Sequence, residues 1–408
     1  MQPTTVRFEA DPRYPAPGLY FEELARTDGG RFRTGQPAFL GLPPTGGPSD
    51  LDRGVLVHWL SDWEQFGQRV GRPPARTFLA RAVRGFFENG GKRCAVVSSR
   101  LDSSRGEDSA GIAQPNRWRE FVARSLAKLE LIEDIDLVCA PDLPDVDNLR
   151  LDLQEKLLAH CDSMQDRFAI LDSAAAATPS DAAALWHELV SANGALYFPW
   201  IRTADAPGGA DWVPPCGHIA GVYARTDTRV GVHKAPANEV IEGAVDIRVQ
   251  VTDAEQSRLN GVGVNCVRML PGRGIRVWGA RTLSGRAEWR YVNVRRLFIT
   301  LRRWLDSECQ DLVFEGNDLQ LWDRVRDRLN NYCYTLFQRG ALKGSTPEEA
   351  YYVKCDAETN PPARREAGEV TIEIGLAPTR PAEFVVVRIT QSATGGTTAE
   401  TSLTTDRS

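Results

Sequence analysis

Ile135-Asp-Leu-Val-Cys139-Ala-Pro141, Arg167-Phe-Ala-Ile-Leu171-Asp172 and Ala195-Leu-Tyr-Phe-Pro199-Trp200 are short apolar runs, each separated from the next by enough chain for a helix. Runs that are apolar at successive positions are buried on both faces. With helices of about ten or more residues between them they make βαβ units and a largely parallel sheet. One intervening helix marks its own start. Thr178-Pro179-Ser-Asp181 supplies a cap residue, proline at the first helical position and an acid at the third. Towards the N-terminus the alternation continues. Trp63 to Gly67, Phe78 to Phe87 and Trp118 to Leu131 have helical spacing, and Arg93-Cys-Ala-Val-Val97 reads as a buried strand.

From about residue 240 the pattern becomes α+β. Asn293 to Asp306 places Val294, Leu297, Phe298, Leu301 and Leu305 on one face, with Arg295, Arg296, Arg302 and Arg303 expected on the opposite arc. Asp318 to Arg339 predicts a second helix ending at Gly340, and Thr346-Pro347-Glu-Glu349 reads as a capping box. Val370 to Ile374 and Glu383 to Thr390 predict strands. Gln391 to Ser408 is rich in Ser, Thr and Gly and is expected to be a disordered tail. Near the start, Leu19 to Glu23 follows a glycine turn and reads as a lone strand that needs a partner.

Composition narrows the functional classes. The chain has 408 residues, with 49 basic and 54 acidic side chains and a formal net charge of −5. This balance argues against a general nucleic-acid binder. Residues 1–18 carry Arg7, Glu9, Asp11 and Arg13 and no apolar core of a leader, and no run approaches about 18 consecutive apolar residues. The expectation is a chain made and folded in the cytoplasm, with no membrane insertion. Eight dispersed cysteines contain no CxxC, and the five histidines are equally scattered, so neither structural zinc nor any other metal or cofactor is predicted.

No converging catalytic set emerges. Gly340-Ala-Leu-Lys343-Gly344-Ser345-Thr346 has phosphate-loop ingredients, but its lysine precedes the glycine; the segment reads as a helix end followed by a cap. Gly217-His218-Ile-Ala-Gly221 superficially resembles the histidine box of subtilisin-type proteases, yet no nucleophile elbow follows. A divergent α/β hydrolase or protease using His218 is the alternative reading. The other outstanding feature is charge: Arg273 to Arg303 holds nine arginines and one acid, Glu288. Such a stripe is neutralised internally or meets an anionic partner. Interleaved Trp278, Trp289, Tyr291 and Phe298 keep a nucleic-acid module as a third reading, although aromatics at helical spacing usually belong to a core.

Several segments together resemble the contractile tail sheath proteins of phages and related contractile injection systems. They include Pro17-Gly18-Leu19-Tyr20, Ala82-Val-Arg-Gly-Phe86-Phe-Glu-Asn89-Gly-Gly91, Val213-Pro-Pro215-Cys-Gly217-His218-Ile-Ala-Gly221, Lys234-Ala-Pro236-Ala-Asn238 and Gly263-Val-Asn265-Cys. Longer stretches are Gly274-Ile-Arg276-Val-Trp278-Gly-Ala-Arg281-Thr-Leu and Trp289-Arg-Tyr291-Val-Asn-Val-Arg295-Arg296-Leu-Phe, followed by Phe314-Glu-Gly-Asn317-Asp and Pro381-Ala-Glu383-Phe-Val. Gly316 stands where many members have proline.

The resemblance implies a non-enzymatic subunit that polymerises as stacked rings around an inner tube protein, with baseplate and cap proteins as further partners. It is expected to assemble in the bacterial cytoplasm as part of a phage tail or phage tail-like particle. The implied fold is a parallel-sheet α/β domain of subtilisin-like topology without a protease site, followed by an α+β domain, with extended terminal arms. The expected division is a linking arm at 1–23, an α/β domain at 24–240, an α+β domain at 241–390 and a tail at 391–408. The candidate linking strands are Gly18, Leu19, Tyr20, Phe21 and Glu22 near the start, and Phe384, Val385, Val386, Val387 and Ile389 near the end. Both are edge donors with main-chain hydrogen bonds to offer. Candidate tube-facing residues are Arg295, Arg296, Arg302 and Arg303, then Arg324, Arg328 and Lys343.

Overall fold

The three apolar runs are neighbouring strands of one sheet. A computed structural model describes residues 33–41, 55–71, 77–99, 115–146, 148–204, 212–308, 315–366, 368–383, 385–391 and 397–403. The first half contains β1 (Pro37–Gly41), β2 (Val55–Leu60), α1 (Glu64–Arg69), α2 (Leu79–Glu88), β3 (Cys94–Ser99), α3 (Pro115–Leu129) and β4 (Leu137–Cys139). It continues with α4 (Leu149–Met164), β5 (Phe168–Asp172), α5 (Pro179–Ala184), β6 (Gly194–Phe198), β7 (Ile201–Thr203), β8 (Trp212–Val213) and α6 (Cys216–Arg229). Then come β9 (Glu239–Val240), β10 (Ala244–Ile247), α7 (Asp253–Gly261), β11 (Val264–Leu270), β12 (Gly274–Trp278), α8 (Val292–Glu308) and α9 (Leu319–Gln338). The last elements are α10 (Pro347–Ala350), β13 (Tyr351–Lys354), α11 (Pro362–Glu366), β14 (Glu373–Leu376), β15 (Val385–Gln391) and β16 (Thr397–Leu403).

Nine strands form the main sheet in the order β2-β3-β1-β4-β5-β6-β11-β12-β9. The run from β3 to β11 is parallel throughout, and the pairings of β2, β12 and β9 at its flanks are antiparallel. Each parallel strand divides its side chains between two cores. Phe39, Val96, Leu137, Ile170 and Tyr197 face the layer with α2 and α6, while Leu40, Val97, Val138, Leu171 and Phe198 face the layer with α3 and α4. The expected boundary at residue 240 does not end the sheet, because β11 and β12 complete it. Their apolar side chains enter the same two cores, which an α/β domain closing at 240 would leave uncovered.

Helices α2 and α6 pack backbone to backbone. A Cβ on Gly217 would stand 2.2 Å from the Ala82 carbonyl oxygen, and one on Gly221 would stand 2.5 Å from that of Phe86. Asn89, at the end of α2, donates to the Gly85 carbonyl at 2.9 Å and to the Glu242 carbonyl at 3.1 Å. The cap before α5 forms as expected, with reciprocal Thr178 and Asp181 bonds. The one at Thr346 does not close: its side chain caps nothing, and Glu349 reaches back one residue further to accept from the Ser345 N–H at 2.7 Å.

Helix α8 is enclosed more completely than its pattern predicts. Val292 and Ile299 enter the sheet core, Leu297 joins a cluster with Ala341 and Leu342, and Trp304 and Leu305 pack against Leu321, Trp322 and Val325 of α9. The second strand pair, β13 with β14, covers the other side of α9's core through Val353 and Ile374. Residues 397–403 form a strand instead of the expected disordered tail. They pair with β15 in antiparallel register from Val385↔Leu403 to Gln391↔Thr397.

Candidate functional site

The chain segments that enter and leave the described body are each pinned by buried polar groups. At the C-terminal side, Asn265 on β11 donates to the carbonyl oxygens of Arg281 at 2.8 Å and Leu196 at 3.3 Å, and accepts from the Arg281 N–H at 2.7 Å. This fixes the backbone from which the Arg281 guanidinium reaches out. Its Nη1 donates to the Asn260 carbonyl at 2.8 Å, its Nε donates to Glu383 Oε1 at 3.0 Å, and its Nη2 donates to Glu383 Oε2. The Tyr291 hydroxyl also donates to Glu383, at 3.4 Å. The pair is largely shielded, with 13% and 16% of the side chains exposed, so it has the geometry in which charge-assisted bonds are strong. Glu383 is followed, after Phe384, by β15.

Two open clefts border this root. One, of about 440 Å³, is lined by Asn238, Trp278 and Glu383; the other, of about 490 Å³, is lined by His233, Lys234 and Thr379. Pro381 and Ala382 border both.

At the N-terminal side, Asp136 accepts from the Gly35 N–H at 2.9 Å and the Gln36 N–H at 2.6 Å. Arg296 bridges Asp136, at 3.1 Å, to Asp227, at 2.9 and 2.6 Å, and all three side chains are 3–4% exposed. Burial alone would lower the Arg296 guanidinium, but the Asp227 and Asp136 carboxylates outweigh it and hold it above its ordinary range. Its position over the Tyr223 ring, 4.8 Å from the centroid, completes the enclosure.

These contacts correct one expectation: Arg296 does not face outward. Because α8 is covered on several sides, position 296 falls against the sheet, where only a paired guanidinium is tolerated. Arg295 lies over the Trp289 ring and donates to Asn193 at 2.7 Å. Arg303 donates to the carbonyl oxygens of Arg33 and Glu133, at 3.2 and 3.0 Å, and Arg328 donates to that of Glu308 at 2.8 Å. Arg302, Arg324 and Lys343 are exposed. Arg302 meets Gln165 and Asp306, and Arg324 pairs with Glu315 at 2.9 Å.

Of the expected linking strands, Gly18, Leu19, Tyr20, Phe21, Glu22 and Phe384 lie outside the described residues. Val385, Val386, Val387 and Ile389 lie in β15, opposite Leu403, Ser402, Thr401 and Ala399. Among the described residues no third strand joins this hairpin. His218, the hydrolase candidate, is buried in α6, its ring occupying the space that a Cβ on Gly85 would need, at 2.4 Å. Among the described residues no group of three His, Cys, Asp or Glu side chains is arranged to hold a metal ion, and no helix is long and apolar enough to cross a membrane. Arg281 and Glu383 fall in separate sequence motifs 102 residues apart, and no local pattern joins them. The available signal was an acid in an otherwise basic and apolar turn, Thr379-Arg380-Pro381-Ala382-Glu383.

The phage tail sheath protein central domain matches residues 122–283, and the phage tail sheath C-terminal domain matches residues 285–392. The tail sheath proteins of Vibrio phage KVP40 and Enterobacteria phage T4 are each 26% identical, over 193 and 188 residues, or 46% and 45% of this chain. The match spans only 28% of the length of each of these two relatives. Among solved structures, the helical sheath of the anti-feeding prophage (AFP) in its contracted state is 31% identical, with a TM-score of 0.70 over 93% of this chain and 100% of that one. The PVC sheath complex of an extracellular contractile injection system, also contracted, is 27% identical, with a TM-score of 0.70 over 93% and 99% of the two chains.

Proposed function

The chain belongs to the phage tail sheath family, and from that premise we propose that it is the structural subunit of a contractile sheath that polymerises as stacked rings around an inner tube. Shortening of the sheath drives the tube through a target envelope. The observation that carries this reading is likeness to contracted sheath subunits along nearly the whole chain. The partners are further copies of this chain, the inner tube protein, and baseplate and cap proteins, assembled in the bacterial cytoplasm into a phage tail-like particle. We read the nine-stranded sheet as the subtilisin-like domain of the family, a reading supported by its parallel run from β3 to β11. His218 has a packing role between α2 and α6, which gives the hydrolase alternative no support.

The terminal segments are the linking arms. In support, β15 and β16 form a hairpin that follows an ion-paired root at Glu383, and each outer edge of such a hairpin offers main-chain groups to a neighbour's strand. The tube-facing surface is assigned to the exposed basic residues Arg302, Arg324 and Lys343.

Co-expression with the tube protein, followed by electron microscopy, tests the reading: sheathed tubes are expected, and a chain that stays monomeric on intact tubes refutes it. Combined Arg302→Glu and Arg324→Glu substitutions should weaken polymerisation on tubes at moderate salt. Polymerisation that is unchanged at every salt concentration removes the tube-facing assignment.

A further inference from the structure

Asn293, Arg296, Thr300 and Arg303 recur at intervals of three and four along α8 and so share one face. What that face holds is unusual: it touches both ends of the described body. Asn293, 3% exposed, donates to the Thr379 carbonyl at 3.1 Å and the His233 carbonyl at 2.8 Å, at the C-terminal root. Just before α8, Tyr291 reaches Glu383. Three residues beyond Asn293, Arg296 orders Asp136 and Asp227; Asp136 holds the Gly35 and Gln36 N–H groups, and Asp227 takes a hydrogen bond from the Thr34 side chain. Two turns further, Arg303 donates to the Arg33 carbonyl.

We propose that α8 is the tie between the two linking segments, with Asn293, Arg296 and Arg303 as positioning residues that clamp the C-terminal and N-terminal roots to a single rigid rod. The proposal rests on the reading of the termini as inter-subunit links. Asn293 and Arg303 are ten residues apart, roughly 15 Å of helix, so the roots are held at a separation set by one helix. Load entering through one link then leaves through the other along α8, without passing through the strand-to-helix loops of the sheet. The helix suits this role because its apolar side chains are keyed into three separate clusters, so it cannot slide without disturbing all of them. An arginine enclosed at position 296 is explained by the same need. It crosses from the helix to two carboxylates on different elements, a span that a shorter apolar side chain would not bridge.

Hydrogen exchange on the full-length purified chain tests the tie without requiring assembly. Asn293→Ala, Arg296→Lys and Arg303→Ala should each speed exchange at both roots, residues 33–36 and 379–383, by roughly tenfold, the loss of about one hydrogen bond. Arg302→Ala, on the adjacent exposed arc, should change neither. If each variant loosens only its own root, or neither, the tie is refuted; should Arg296→Lys fail to fold, the other two decide. In particles, Asn293→Ala combined with Arg303→Ala should yield fewer full-length sheaths than wild type. Intact assembly alongside loosened roots overturns the mechanical role. Failure of the wild-type chain to form sheath at all would instead count against the proposed function, leaving the exchange result as the measure of the clamp.

Discussion

Asp172, 2% exposed, closes β5, and its Oδ1 accepts the Cys216 N–H at the start of α6, at 2.9 Å. Burial pushes this carboxyl up to about 7, against the pull of the Cys216 side chain, the Arg150 charge and the Cys216 N–H. An unfolded aspartate ionises near 3.8, so between roughly pH 4 and 7 the folded chain keeps a proton that the unfolded chain has released. The stability contributed by this group therefore falls as pH rises through that window, and the full cost is present above it. His160 has the opposite sign. Burial and then Arg167 lower it to about 4, so its contribution is lost as pH falls from about 6.5 towards 4. Asp172→Asn should raise thermal stability at pH 8, by on the order of 1–3 kcal/mol, and leave it nearly unchanged at pH 4; an equal shift at both pH values would show that Asp172 is not the titrating group. Gly217→Ala tests packing at the same scale. With the Ala82 carbonyl 2.2 Å from the new Cβ, α2 and α6 must separate, and urea denaturation should show a loss of about 1–3 kcal/mol.

Among the elements, the hairpin at the chain's end changes what truncation should do. On sequence alone, removing Gln391 to Ser408 is expected to matter little. The structure pairs seven residues of β15 with β16, so this deletion removes the ladder that keeps the proposed linking strand extended. Each main-chain bond is worth on the order of 1 kcal/mol net. The truncated chain should keep its melting temperature, because β15 and β16 pair only with each other among the described residues, yet it should form few or no sheaths by electron microscopy. Normal sheaths would show that β15 needs no partner from its own chain. Strand β16 was illegible because Thr397-Thr-Ala-Glu-Thr-Ser-Leu403 has no apolar alternation, and its order comes from main-chain pairing. Strands β4, β5 and β6 were legible because burial on both faces writes itself as continuous apolar runs. The polar roots fall between these cases. The residue types were visible, but Arg281 lies 102 residues from Glu383, and Arg296 lies 160 and 69 residues from Asp136 and Asp227. Helical periodicity gives Arg296 the same value as the exposed Arg302, and only the tertiary placement of α8 separates them.

At the scale of the whole molecule, a linked sheath requires each subunit both to offer a strand and to receive one, and these two capacities can be separated by mutation. Deleting Met1 to Glu23 stops ten residues short of Arg33, so the Asp136 bonds to Gly35 and Gln36 and the Arg303 bond to Arg33 are untouched. With these described bonds retained, the body should fold with stability within about 0.5 kcal/mol of the full chain. A chain truncated in this way offers no N-terminal strand but keeps every described surface that could accept one. Alone, it should yield no sheath. Mixed with full-length chain it should enter growing sheaths and stop them, so mean sheath length should fall with the truncated fraction. Simple dilution of active subunits predicts a different result: fewer sheaths of unchanged length. Length measured by electron microscopy against mixing ratio distinguishes the two, and sheaths of normal length and number built from truncated chain alone would show that residues 1–23 are not the link.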